Sequence, residues 1–114
     1  MVAHISLPNV IGDNTPCTLS KKVITDILRG DLGYEGLVVT DALNMGAISQ
    51  HYSSGEAAAM AVEAGVDLLL MPKNFESAVK GVKTAMQDGR ITEARLDASM
   101  RRIIRAKLLL AETR

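Results

Sequence analysis

The stretch "GLVVTDALNMG" (residues 36–46) decides the fold, because a run of apolar residues changes directly into an acidic residue, Asp41. Its "LVV" segment has apolar side chains facing both ways, which is typical of a parallel strand covered on both sides. The run "VDLLLMP" (residues 66–72) repeats this pattern, and "MVAHI" (residues 1–5) is a third apolar run. The three runs therefore predict three parallel strands.

Amphipathic segments follow the predicted strands and begin at residues that are typical helix N-caps. We expect helices to begin at Ser20, Ser53, Asn74 and Thr92, with a capping box between Ser53 and Glu56. The last segment has an apolar face that consists of Leu96, Met100, Ile103, Ile104 and Leu108. Basic residues occupy its other side, where we expect a solvated face: Arg101, Arg102, Arg105 and Lys107.

This alternation of strands and helices predicts the α/β class, with three βα units and a C-terminal helix in one domain over residues 1–114. Three strands alone leave exposed sheet edges. We therefore expect the chain to be the C-terminal section of a TIM-type (β/α)₈ barrel, and a small open α/β sheet is the alternative. The exposed barrel edges are expected to cause self-association.

Composition and charge argue against several classes of partner. Basic and acidic residues both number 13, so no net charge favours nucleic acid or anionic lipid. Aromatic residues make up only 3% of the chain, and no apolar run approaches the roughly 20 residues that a membrane helix needs. The single cysteine, Cys17, has no partner for an internal disulfide. Without a phosphate-binding loop, a dinucleotide fingerprint or metal-ligand spacing, we expect no cofactor and no metal.

The position of each acid along its strand separates candidate chemistry from structure, because the carboxyl ends of strands hold the ligand sites in α/β proteins. Asp41 ends its strand and belongs on the functional face, whereas Asp67 begins "DLLLM" and is expected to be structural. His4, Met71 and Pro72 lie near the functional ends of the other two strands. From the pattern alone, Asp41 is equally a cap for the turn "ALNMG".

Three segments then resemble one known family in their order and spacing: "YEGLVVTDALNMGAI", "EAAAMAVEAGVDLLLMP" and "GRITEARLDASMRRIIRAK". They are similar to the β-N-acetylglucosaminidase (NagZ-like) branch of glycoside hydrolase family 3, and the similarity extends from "MVAHISLP" through "LSKKVITDILRGDLGYEG". The resemblance implies a retaining glycosidase, with the chain matching barrel strands six to eight and Asp41 matching the catalytic nucleophile. It also implies a carbohydrate substrate with terminal β-linked N-acetylglucosamine, such as a cell-wall muropeptide.

The family's remaining site residues have no match here. Its acid/base is a His paired with an Asp on an earlier loop, and its Lys-His and Arg sugar-binding positions are on earlier strands. Since a general acid contributes about 10²–10⁴ in rate, we expect the chain alone to be inactive. His4 matches the sixth strand and is expected to line the sugar site, with a packed, hydrogen-bonded histidine as the alternative. Met45 is expected at the rim of that site or packed beneath the turn.

A nucleophile must stay ionised, so we expect hydrogen-bond donors beside Asp41, from Thr40 or from the amides that follow. His51 lies in a polar loop and is expected to be exposed. Other function classes stay open: a phosphorylase that uses phosphate in place of water, a stand-alone α/β binding or oligomerising module, and a partial product without a stable fold. A cytoplasmic location is favoured, with an exported form as the alternative, since relatives include both.

Overall fold

The computed structural model describes residues 1–113. Its helical elements, in chain order, are α1 (Pro8–Ile11), a 3₁₀ turn (Cys17–Leu19), a π-helix (Lys22–Asp31), α2 (Gly46–Ser49), α3 (Ser54–Ala64), α4 (Phe75–Gln87) and α5 (Glu93–Glu112). Three extended segments alternate with them and pair in parallel through the bridges Val2–Thr40 and Val39–Leu68. The segment around Val39 therefore lies in the middle of the three.

The parallel pairing is short and is interrupted by a side chain. The Val2 amide donates to the Val39 carbonyl at 2.9 Å, and the Asp41 amide donates to the Val2 carbonyl at 3.0 Å. On the other side, the Thr40 amide donates to the Leu68 carbonyl at 3.0 Å. The Leu70 amide, however, donates to the hydroxyl of Thr40 at 2.9 Å. Because this hydroxyl takes the place of the main-chain carbonyl, the regular ladder is interrupted at Thr40, and the next main-chain bond between the two segments runs from the Leu43 amide to the Leu70 carbonyl at 2.8 Å.

All four predicted helix starts are confirmed by side-chain caps. The hydroxyls or amide oxygens of Ser20, Ser53, Asn74 and Thr92 accept hydrogen bonds from the amides three residues later, at 3.3, 3.1, 2.9 and 3.1 Å. The reciprocal half of the capping box is not formed, because the carboxylate of Glu56 binds Arg90 at 3.0 Å instead. The sequence pattern predicts the short-range cap by Ser53, but the longer side chain of Glu56 reaches Arg90, which is far from it in sequence.

The core lies around α3, whose small side chains allow other elements to approach it from two sides. One cluster includes Ile24, Val38, Leu43, Ile48 and Val66 together with alanines of α3. A second cluster, on the side of α4, consists of Ala59, Val62, Ala85 and Ile91. The alanine-rich stretch of α3 is therefore a shared wall between the strands and α4, which explains its high apolar content.

The last helix differs from the sequence prediction in two ways. Its apolar face is present but largely uncovered within residues 1–113, since Met100, Ile104 and Leu108 are 51%, 52% and 60% exposed. The expected solvated basic face is wrong for Arg102, whose guanidinium forms an ion pair of 2.8 Å with Asp67. An amphipathic pattern shows which residues share a face, but the position of the facing acid depends on the tertiary fold.

Candidate active site

Asp41 lies directly after the central extended segment and is partly buried. Its Oδ1 atom accepts a hydrogen bond of 2.8 Å from the Ala42 amide, one of the amides that were expected to be donors. The other expected donor, Thr40, instead accepts from the Leu70 amide. The alternative role, a cap for the turn "ALNMG", has only the bond from Ala42, the first amide of the turn, because the next amide, that of Leu43, donates to the Leu70 carbonyl instead.

His4 contacts the residue that follows Asp41 and is held by two protein partners. Its Nδ1 atom is 2.8 Å from the hydroxyl of Thr18, and its Nε2 atom is 2.8 Å from the carbonyl oxygen of Ala42. This arrangement agrees with the alternative of a hydrogen-bonded histidine. Contact between His4 and a sugar stays a prediction.

An open cleft of about 640 Å³ borders His4. It is lined by His4, Ser6, Asp13, Asn14, Thr15, Pro16, Ala47, His51 and Tyr52. His51 is exposed, as expected from its polar loop, yet it lines the same cleft as His4. The fold therefore brings both histidines of the chain to one surface, which their separation in sequence does not indicate.

The methionines near the carboxyl ends of the segments are solvent-accessible. Met45 is 45% exposed and immediately precedes α2, so it is accessible to solvent without being fully uncovered. Its contact with substrate stays a prediction. Met71 is 57% exposed and has a backbone φ of +49°, a left-handed conformation that is unusual outside glycine. Strained residues of this kind cluster at functional sites, and no residue pattern in the sequence indicates this conformation.

Asp67 lies at the opposite end of its segment and has a structural environment, as predicted. Its Oδ2 atom binds Arg29 at 2.7 Å and the Val38 amide at 2.9 Å, and its Oδ1 atom binds Ser99 at 2.6 Å and Arg102 at 2.8 Å. Burial raises the pKa of Asp67, but these hydrogen bonds and the two guanidinium charges outweigh burial, and the pKa lies below its ordinary value. The two acids thus have different surroundings: both oxygens of Asp67 have hydrogen-bond partners, whereas Asp41 has a partner at only one oxygen in the part of the chain that the structure describes.

The chemistry available at Asp41 follows from this difference. Among residues 1–113, only its Oδ1 atom accepts a hydrogen bond, so one carboxylate oxygen is fixed and the other has no protein partner. A carboxylate oriented in this way is suited to attack an electrophilic carbon.

Within the same described residues, no group of three or more His, Cys, Asp or Glu side chains is arranged to hold a metal ion. No described helix combines the length and apolar character of a membrane span.

Comparisons with known proteins connect this geometry to one family. Residues 1–106 match the family model described as "Glycosyl hydrolase family 3 N terminal domain". The chain is 33% identical over 132 residues to beta-hexosaminidase A of Pseudoalteromonas piscicida, covering 99% of the chain and 22% of that protein. A solved β-N-acetylglucosaminidase from Paenibacillus sp. str. FPU-7 is 45% identical, with a TM-score of 0.84, 89% of the chain covered and 20% of that structure.

A third similar protein is a phosphorylase. The structure of the beta-glucoside phosphorylase BglX is 32% identical, with a TM-score of 0.85, 98% of the chain covered and 22% of that structure. The solved domains of this family have a TIM-barrel-like fold, with which the parallel segments described above agree. The chain spans about a fifth of the length of these relatives.

Proposed function

Since the chain belongs to the glycosyl hydrolase family 3 N-terminal domain family, we propose that it is part of a retaining β-N-acetylhexosaminidase. The proposed substrate has a terminal β-linked N-acetylglucosamine, as in cell-wall muropeptides. Similarity to a beta-hexosaminidase and to a β-N-acetylglucosaminidase supports this choice. Residues 1–114 would then supply strands six to eight of a TIM-type barrel and the helix that follows.

Asp41 is proposed to be the nucleophile, and one observation supports this role most directly. Its Oδ1 atom is fixed by the Ala42 amide at 2.8 Å, at the carboxyl end of the central segment. Its Oδ2 atom, without a protein partner in residues 1–113, is then the oxygen that faces substrate. Parallel α/β folds present their chemistry at this end of the strands.

In the proposed reaction, Oδ2 of Asp41 attacks the anomeric carbon and forms a glycosyl ester. The bond between that carbon and the glycosidic oxygen breaks, and a general acid gives its proton to the departing oxygen. Water then attacks the same carbon, transfers a proton to the conjugate base and releases the Asp41 carboxylate. Two displacements restore the β configuration of the sugar.

The proton donor is proposed to be the His of the family's acid/base loop, which has no match among these 114 residues. Both ring nitrogens of His4 already have protein partners, so we do not assign it this role. Loss of general acid catalysis costs about 10²–10⁴ in rate. The 114 residues expressed alone are therefore expected to hydrolyse N-acetylglucosaminides far more slowly than the native protein, by which we mean the proposed complete enzyme with its acid/base loop.

The experiment is covalent trapping in the native protein with a fluoro-sugar inactivator of N-acetylglucosamine, followed by peptide mass mapping. We expect the label on Asp41 and none in Asp41→Asn. Asp97→Asn is the matched control, because Asp97 is an exposed carboxylate on α5. A label on another residue, or full activity of Asp41→Asn, would exclude Asp41 as the nucleophile.

Similarity to the beta-glucoside phosphorylase BglX supports a second candidate reaction. A phosphorylase forms the same ester on the nucleophile but opens it with phosphate, so the product is a glycosyl phosphate. Product analysis in phosphate buffer separates the two activities. A hydrolase releases the free sugar whether or not phosphate is present, and a phosphorylase slows strongly when phosphate is removed.

A further inference from the structure

A short chain of hydrogen bonds connects the buried interior to the residue after Asp41. Thr18 is fully buried in the 3₁₀ turn, and its hydroxyl lies 2.8 Å from Nδ1 of His4. Nε2 of His4 lies 2.8 Å from the carbonyl oxygen of Ala42. We infer that Thr18 and His4 are positioning residues that fix the orientation of the Asp41 carboxylate through Ala42. This inference rests on the proposed function.

The hydrogen-bond chemistry determines which atoms of this relay donate. A carbonyl oxygen only accepts, so Nε2 of His4 must carry the proton that it shares with Ala42. In the neutral ring, Nδ1 is then an acceptor and receives the hydroxyl proton of Thr18. The same hydroxyl oxygen is farther from its other acceptors, 3.1 Å from the Ala3 carbonyl and 3.4 Å from the Val2 carbonyl. Its single proton therefore has its shortest hydrogen bond to the ring.

Both peptide groups of Ala42 are hydrogen-bonded, one to Asp41 and one to His4, so the position of the His4 ring affects the position of the Asp41 carboxylate. The Ala42 amide donates to Oδ1 of Asp41, and its carbonyl accepts from His4. Rotation of the backbone at Ala42 would break one of these bonds or move the carboxylate with it. The relay thus determines which oxygen of Asp41 is fixed and which one remains for the sugar.

Amide side chains separate the two functions of the ring. Gln at position 4 extends its NH₂ group to about where Nε2 lies and keeps a donor for Ala42, whereas Asn reaches only the Nδ1 position beside Thr18. At position 18, Ser keeps the hydroxyl, and Val has the shape of Thr without it. The four variants His4→Gln, His4→Asn, Thr18→Ser and Thr18→Val are made in the native protein and compared with His4→Ala.

The readout is inactivation by the fluoro-sugar, which gives a trapping rate constant, a binding constant and the fraction of protein labelled. A misplaced reacting group costs about 10²-fold, so we expect the trapping rate constant of His4→Asn and His4→Ala to fall by that order. Gln should restore most of the rate lost in His4→Ala. Thr18→Val should slow trapping by about tenfold and Thr18→Ser much less. The labelled fraction should stay near that of the unmodified protein in all variants, and the binding constant should stay near it in the Thr18 variants, because Thr18 is fully buried.

Each outcome has a distinct meaning. A lower labelled fraction with an unchanged rate constant would show that His4 and Thr18 only support folding, and it would overturn the inference. Equal trapping rates in His4→Gln and His4→Asn, or in Thr18→Ser and Thr18→Val, would overturn it as well while leaving Asp41 as the nucleophile. No label on Asp41 in the unmodified protein would overturn the proposed function itself. Nitrogen-15 NMR of the His4 ring is an independent check, since the relay requires the Nε2–H tautomer.

Discussion

Arg102 in α5 lies 2.8 Å from the carboxylate of Asp67, and this ion pair joins the last helix to the amino end of the third extended segment. Arg29 of the π-helix binds the other oxygen of the same carboxylate at 2.7 Å. Asp67 is completely buried at its side chain, whereas the two arginines keep 21% and 12% of theirs exposed. One acid thus holds two helices against the strands at the end of the fold opposite Asp41.

Replacement of Asp67 by Asn should destabilise the protein strongly. The change removes the negative charge between two guanidinium groups, and loss of one partner of a buried ion pair typically costs about 3–5 kcal/mol. Because both arginines retain some contact with solvent, we expect about 3 kcal/mol, measured as the free energy of unfolding in urea. The control is Asp97→Asn on the exposed side of α5, which should change this free energy by less than about 0.5 kcal/mol. Equal unfolding midpoints for the two variants would contradict the assigned role of Asp67.

Acid should weaken the same network. Burial raises the pKa of Asp67, but its hydrogen bonds and the two arginines bring it below the ordinary value of 3.8. Because the pKa is lowered in the folded state, the unfolded state binds the proton more readily. The stabilisation is therefore fully present above the ordinary pKa of 3.8 and is lost as the pH falls through the folded pKa. We expect the stability difference between the unmodified protein and Asp67→Asn to be constant near neutral pH and to shrink below about pH 4. Unfolding in urea at a series of pH values measures it, and a difference independent of pH would exclude this linkage.

Gly81→Ala should disrupt the contact between α3 and α4. A Cβ atom at position 81 would overlap the carbonyl group and Cα of Gly55, and these neighbours are backbone atoms that cannot rotate away. Overpacking of this kind typically costs about 1–3 kcal/mol, so the thermal midpoint should fall. The matched control is Gly30→Ala, where the nearest atom to the added Cβ is the Thr25 carbonyl oxygen at 3.4 Å. A thermal midpoint of Gly81→Ala equal to that of Gly30→Ala would show that the two helices separate at little cost.

The 114 residues expressed alone should self-associate. Leu68 and Leu70 on the third segment are 40% and 36% exposed, and Leu108, Leu109 and Leu110 on α5 are 56–61% exposed. Apolar surface of this extent is typical of faces that another protein surface covers. Light scattering over a range of concentrations should show a mass that rises above the 12.2 kDa of the monomer, and Leu108→Lys should reduce the rise. A constant monomer mass with cooperative unfolding would count against it.

Helix starts were predictable from sequence, and so were the opposite strand ends of Asp41 and Asp67. Each of these features depends on neighbours a few residues away. Ser53, Asn74 and Thr92 cap their helices as expected, because a polar side chain reaches an amide three residues later without help from the rest of the fold. The family was also predictable, since ordered motifs around Asp41 resemble it and the comparisons agree. The π-helical form of Lys22–Asp31 was not, because its sequence has the same apolar spacing as an α-helix.

Residue patterns along the chain were enough to predict the order of strands and helices, the helix starts, the family and the acid that ends the central segment. The tertiary structure alone decided what surrounds that acid. Thr18 has no sequence signal that marks it, and it lies beside His4 only because the 3₁₀ turn folds back under the first segment. Arg102 likewise has the same local pattern as Arg101, and only the packing of α5 brings one of them to Asp67. Contacts between residues far apart in sequence depend on how the elements pack, which the spacing of side chains along one element does not specify.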